Sequence, residues 1–195
     1  MRKNKLLLHT DSFPHMGLDH IFEFAKEQGF DGLELGVNRN VDTQDVAYLQ
    51  KLEKRHKIKV LAFSLTPKNE ESLIKAFEEV VMAFPKTTIN VIPPKNFSFE
   101  YKKWFNDRLP RVAQKAGVEL CYKNSLQENV MGFIPSRNSN SLDSLLDLGA
   151  VCLDISALAA GGQEIMKTIP LLGKNLRHVT LSNMYREIPY APIEK

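Results

Sequence analysis

Apolar residues fall along this chain in two alternating rhythms. Short runs in which every second position is apolar predict β-strands over 5–10, 31–37, 58–65, 87–94, 118–124, 150–156 and 176–183. Between them, apolar positions recur three and four residues apart and predict helices over 18–29, 42–57, 69–84, 98–117, 141–149 and 163–174. In the first helix Leu18, Ile21, Phe22 and Ala25 share one face, and Gly29 ends it. Strict alternation of strand and helix calls for parallel strands joined by right-handed helical crossovers, leaving a doubly wound sheet or a (β/α)₈ barrel.

The strands separate these two. One register holds Leu33, Leu35, Val37, Leu61, Phe63, Leu65, Ile89, Val91, Val118, Leu120, Tyr122, Val151, Leu153, Ile155, Val179 and Leu181, all apolar and suited to facing helices. The other holds Glu34, Ala62, Ser64, Thr88, Asn90, Cys121, Lys123, Cys152, Asp154, Thr180 and Ser182, with His9 joining it by parity. An open doubly wound sheet buries both faces and reads as continuous apolar runs. A small or polar second register fits instead a TIM (β/α)₈-type barrel with a polar lumen toward its C-terminal mouth. Only MYREIPYAPIEK follows the seventh strand, against about 250 residues usual for this architecture. The expectation is a single domain over 1–195 with about seven βα strands and no eighth: either the chain is truncated relative to its natural relatives, or its open edge is covered by the tail or by a second copy in a homo-oligomer.

Composition narrows the partners. The 26 basic and 23 acidic residues are interspersed, so the charge of +3 implies no nucleic acid. Cys121 and Cys152 lie in apolar strands, which suits buried reduced thiols and a cytoplasmic chain. Three consecutive leucines after MRKNK are too short for a signal segment, and no stretch approaches membrane-spanning length.

The chemistry-bearing residues collect where strands end. Glu34, Lys123 and Asp154 are the candidate catalytic groups, as base, cation and pocket ion pair. His9, Ser64, Asn90, Asn124, Arg137, Thr180, Ser182 and Asn183 are candidate substrate-binding residues. His9, Glu34, Ser64, Asn90, Lys123, Asp154 and Thr180 are expected to converge on one cavity. The long connection 124–140 reads as a lid or binding loop. Arg39, Lys95, Arg137 and Arg186 stand at strand exits, where they could hold an anionic group. The HTDSFPHMGLDH segment gathers His9, His15 and His20, but only His9 is placed at the pocket; His56 suits a helix C-terminus and His178 a deeper core position.

With the strand order and the phrases GFDGLELGV, GVELCYKN, GAVCLDISALAAGG and LRHVTLSN in view, the chain resembles the xylose isomerase-like TIM barrels over residues 5 to about 193. These are the sugar phosphate isomerase/epimerase and type 2 AP-endonuclease superfamily. The resemblance implies a glycine, an apolar residue and a glutamate closing the second strand, matched by Gly32, Leu33 and Glu34. It also implies a divalent Mn, Mg, Zn or Co ion held by Glu, Asp, His and Glu from strands five to eight. Here those places hold Lys123, Asp154 with Ala157 three residues on, Thr180, and no eighth strand. Asp154 is the one matching ligand, so no metal or other cofactor is expected. The resemblance implies an isomerase or epimerase of carbohydrate metabolism acting on a small sugar or sugar phosphate. A non-catalytic ligand-binding or scaffold barrel is the alternative. AP-endonuclease DNA repair ranks last, because it needs a multinuclear zinc cluster that five histidines so distributed do not supply.

Overall fold

A computed structural model describes residues 4–65, 70–94, 99–125, 129–130, 134–135, 142–182, 184–185 and 188–189. In chain order the elements are β1 (Leu7–His9), α1 (Leu18–Glu27), β2 (Gly32–Val37), α2 (Val46–His56), β3 (Val60–Leu65), α3 (Glu71–Ala83) and β4 (Thr88–Val91). There follow α4 (Phe99–Lys103), a π-helical turn (Trp104–Arg108), α5 (Leu109–Ala116), β5 (Glu119–Lys123), β6 (Asn129–Val130), β7 (Ile134–Pro135) and α6 (Leu142–Leu148). The last are β8 (Val151–Asp154), α7 (Ile155–Ala160), α8 (Ile165–Leu172), β9 (Leu176–Thr180), β10 (Met184–Tyr185) and β11 (Ile188–Pro189).

Seven parallel strands form one sheet in the order β1-β2-β3-β4-β5-β8-β9, each next to its predecessor among the predicted strands, as a (β/α) barrel topology requires. By contacts the chain divides into two compact units, residues 1–90 with 98–120, and residues 91–97 with 121–195.

In the first unit the apolar register is the core. Leu33, Leu35 and Val37 of β2 and Phe63 and Leu65 of β3 are buried, as are Ile21, Phe22 and Ala25 of α1, Leu49 and Leu52 of α2, and Phe77, Val80 and Val81 of α3. Each large apolar side chain so removed from water contributes about 1.5–3 kcal/mol. The ends of α2 are set by its own sequence. Asp45 accepts a hydrogen bond from the Tyr48 amide, and Lys54, Arg55 and His56 fill the last turn, where the helix dipole favours cations. His56 and Arg55 both reach Asp19 of α1, at 2.6 and 2.8 Å, tying the two helices together.

The predicted helix 98–117 is interrupted, and Pro110 gives the reason. Proline has no N–H for the ladder and its ring crowds the preceding turn, so the helix widens just before it, with the Leu109 amide reaching back to the Trp104 carbonyl. Packing holds this turn in place: Tyr101 is fully buried against Trp104, and the Trp104 indole donates to Glu78 at 2.8 Å.

In the second unit Leu145, Val151, Leu153, Leu158 and Leu172 form the core. Two differences from expectation lie here. The strand predicted over 150–156 stops at Asp154, and Ile155, expected in the strand, begins a helix. In addition Val179 and Leu181 of the apolar register are 38% and 68% exposed, because β9 ends the sheet order with β8 as its sheet neighbour. Cys121 and Cys152 are both buried and are not joined in a disulfide. Among the described residues no helix is long and apolar enough to cross a membrane.

Candidate functional site

The first unit gathers four of the predicted residues at the C-terminal ends of its strands. Register brings them onto one face, because His9 pairs with Glu34 and Gly36 pairs with Ser64 across parallel strands. His9 closes β1, Glu34 lies in the middle of β2, Ser64 near the end of β3 and Asn90 in β4. The Glu34 carboxylate is 3% exposed and takes a 3.0 Å hydrogen bond on Oε1 from the Asn90 amide nitrogen. The same oxygen is 3.7 Å from His9 Nε2, and that nitrogen is 2.9 Å from Ser64 Oγ.

A carboxylate accepts and does not donate, so Glu34 fixes which way the Asn90 amide points. The consequence is that Asn90 Oδ1 is turned away, buried and, among the described residues, without a hydrogen-bond partner. A buried acceptor left unpaired costs about 1–3 kcal/mol. An orphan of this kind beside a buried carboxylate is unusual in a region that is otherwise satisfied, and it calls for a donor from a water or a bound hydroxyl.

The chain beyond β1 completes this end of the unit. Thr10 Oγ1 accepts from the Gly36 backbone N–H at 3.0 Å, and the Asn38 side-chain Nδ2 donates to Asp11 Oδ1 at 3.1 Å. Gly36 has no side chain because any Cβ there would meet both carboxylate oxygens of Asp11. A cavity of about 200 Å³ is lined in part by Thr10, Asp11, Asn38 and Thr43, and a second of about 430 Å³ in part by Phe13, His15 and His20. His20 is exposed beside Glu23, at 3.6 Å. Sequence patterning missed Thr10, Asp11 and Asn38 as parts of the site, since loop positions after a strand carry no periodicity to mark them.

The second unit holds the other group. Lys123, Cys152, Asp154, His178 and Thr180 share one sheet face by register, since Lys123 pairs with Cys152, Cys152 with His178 and Asp154 with Thr180. Asp154 is wholly buried, and each part of it is engaged. Its Oδ1 accepts from the Ser156 and Ala157 amides at 3.1 Å, capping α7, while Oδ2 is 3.1 Å from Lys123 Nζ. Its main chain is clamped by the Asn124 side chain, which accepts from the Asp154 amide at 2.6 Å and donates to the Asp154 carbonyl at 2.9 Å. Ser156 Oγ donates to the Ser182 carbonyl at 3.0 Å, and Thr180 Oγ1 lies 3.6 Å from Cys152 Sγ. Burial raises the pKa of Tyr122 in β5.

The divalent ion that the fold resemblance implies does not fit these residues. A hard cation needs several oxygen or imidazole ligands with lone pairs to spare. The one matching carboxylate spends an oxygen on two helix amides and faces an ammonium with the other. Among the described residues no group of three or more His, Cys, Asp and Glu is placed to hold a metal.

Of the remaining predicted residues, Arg39 is bound to Glu70 through Nε at 3.0 Å and also through Nη2, with its side chain 72% exposed. Arg137, Asn183, Lys95 and Arg186, and most of the connection 124–140, lie outside the described residues.

No known family profile matches the chain. A curated relative, the uncharacterized protein ML2432 of Mycobacterium leprae, is 23% identical over 211 residues, covering 91% of this chain and 74% of that protein. Among solved structures, the 3-keto-D-glucoside 4-epimerase YcjR from E. coli matches with a TM-score of 0.68 at 15% identity, over 93% of this chain and 80% of its own. A D-tagatose 3-epimerase-like protein matches with a TM-score of 0.63 at 16% identity, over 92% and 76%. The probable 3-DHS dehydratase AsbF from Bacillus anthracis matches at 0.60 and 19% identity, over 90% and 72%. At these identities the likeness is one of fold: the chain has the fold of the xylose isomerase-like TIM barrels, among whose solved members are sugar epimerases.

Proposed function

We propose that the protein binds a small carbohydrate through His9, Glu34, Ser64 and Asn90, and that it does so without a divalent metal. The observation that carries this reading is the buried Glu34 carboxylate, hydrogen-bonded by Asn90 with His9 Nε2 3.7 Å away, beside an unpaired Asn90 carbonyl oxygen. Closely spaced acceptors and donors of this kind match the alternating hydroxyl and carbonyl oxygens of a sugar. The sugar epimerases among the structural neighbours support the same ligand class.

Glu34 is the group that would take a proton from a carbon next to a ligand carbonyl, the chemistry of isomerases and epimerases. Lys123 and Asp154 enter this reading as a structural pair in which a tethered ammonium stands where a metal would. A free sugar is favoured over a sugar phosphate, since Arg39 is already bound to Glu70. A second reading, a binding barrel without catalysis, is supported by the commitment of Asp154 to the α7 cap. Thermal-shift screening with free ketoses, aldoses, sugar acids and their phosphates tests the ligand class. Stabilisation by at least one carbohydrate, reduced by Glu34→Gln, is expected. Stabilisation by apolar ligands alone, with every sugar inert at millimolar concentration, would contradict it. Proton exchange into a binding ketose, followed by NMR in deuterated water, then separates the two readings.

A further inference from the structure

His9 offers two ring nitrogens, and the chain decides which one carries the proton. The backbone N–H of Asp11 points at His9 Nδ1 over 3.1 Å. A backbone N–H donates and cannot accept, so Nδ1 is the bare nitrogen of the neutral ring and Nε2 bears the hydrogen. This is a capping arrangement, with the His9 side chain serving as N-cap of the short helical turn Thr10–Ser12. The Nε2 hydrogen has Ser64 Oγ at 2.9 Å and Glu34 Oε1 at 3.7 Å, so it goes to the serine. Ser64 therefore accepts from His9, and among the described residues its own hydroxyl proton has no acceptor. Ser64 is half-buried and its neighbour His9 is 25% exposed, so that proton is within reach of a ligand.

We infer that Ser64 is a directed hydrogen-bond donor to the bound ligand, with His9 as the positioning residue that turns its proton outward and the Asp11 amide as the group that fixes His9. The inference deepens the carbohydrate reading and rests on it for the ligand's identity, while the tautomer itself does not. It distinguishes the pair from an activated serine nucleophile, which needs the opposite sense, with the hydroxyl donating to a bare Nε2. It also sets the chemistry of the ligand atom at Ser64: an oxygen that accepts, a carbonyl or a hydroxyl.

Long-range proton–nitrogen NMR on the labelled full-length chain reads the tautomer directly, with His9→Gln used to assign the ring. The expected spectrum at neutral pH has a protonated, pyrrole-type Nε2 and a bare, pyridine-type Nδ1. Asp11→Pro removes that N–H, and should let the other tautomer appear. The ligand half uses dihydroxyacetone and glycerol, a carbonyl compound and its reduced counterpart. Ser64→Ala should weaken dihydroxyacetone by about tenfold, and glycerol too, because a hydroxyl oxygen accepts as a carbonyl does. A wild-type ring protonated on Nδ1 overturns the inference, as does unchanged binding of both probes in Ser64→Ala. If neither probe binds, the ligand contact at Ser64 fails together with the carbohydrate reading, whereas the nitrogen spectrum still decides the sense of the His9–Ser64 bond.

Discussion

Asp154 shows how one side chain can hold a family-like position and do different work. The chain places it at the end of β8, where the family resemblance implies a metal ligand, yet its oxygens serve the α7 amides and Lys123. Removing it should therefore be felt in stability. Asp154→Ala loses a cap worth about 1 kcal/mol and deprives a largely buried ammonium of its partner, for a total of about 3 kcal/mol in urea unfolding. Lys123→Met should cost less, about 1–2 kcal/mol, because the two helix amides still hold the carboxylate. Elemental analysis after metal-replete purification should find no stoichiometric Mn, Mg, Zn or Co. One tightly held ion per chain, lost on Asp154→Asn, would show that the site is a metal centre after all. The members of this group were legible from strand parity, because alternation assigns Lys123, Asp154 and Thr180 to one face without further information. Their partners were not. That Asp154 caps a helix depends on where β8 stops, and the signal overlooked was an aspartate followed by Ile-Ser-Ala-Leu-Ala-Ala, a capping residue ahead of a run rich in the strong helix formers Ala and Leu.

Elements set the positions of these residues through close contacts that substitutions can probe. Gly32 opens β2 against the Lys59 carbonyl, 2.7 Å from where a Cβ would sit, and against the Leu61 side chain. Backbone cannot yield as a side-chain tip can, so Gly32→Ala should destabilise by about 1–3 kcal/mol and disturb the register that brings His9 beside Glu34. Gly36→Ala meets only the Asp11 carboxylate and should cost less, displacing that side chain from Asn38. The tie between α1 and α2 is charged and therefore pH-dependent. The hydrogen bond from His56, with Arg55 nearby, holds the Asp19 carboxyl below its ordinary value of 3.8. A folded-state pKa lowered in this way gives stability that is present above the unfolded value and is lost as pH falls through the folded one. Asp19→Asn should flatten the acid limb of the stability profile measured by urea unfolding; an unchanged limb would show that the tie contributes nothing. Long amphipathic segments such as α3 were plain in the sequence. The break at Trp104–Arg108 was not, because apolar spacing runs on through Pro110 while the hydrogen-bond ladder does not.

At the scale of the whole chain, alternation of strand and helix sufficed to predict sequential parallel strands, since crossover handedness leaves so few topologies open. Function was less legible than fold, because barrels of one fold carry many chemistries and the likeness to solved epimerases stays at 15–16% identity in the two named. What the chain adds of its own is a buried carboxylate, an orphan amide oxygen and a histidine fixed in one tautomer, all within residues 9 to 90. These are the features of a polar-ligand site, and their test is binding at those residues. Titration of the nitrogen-labelled protein with D-fructose, D-tagatose and dihydroxyacetone, followed by backbone amide shifts, measures it most directly. Saturable shifts centred on His9, Gly36, Ser64 and Asn90, abolished by Glu34→Gln in a variant whose spectrum is otherwise unchanged, are the expected result. Shifts confined to other surfaces, or none with any of the three sugars at tens of millimolar, would contradict the account.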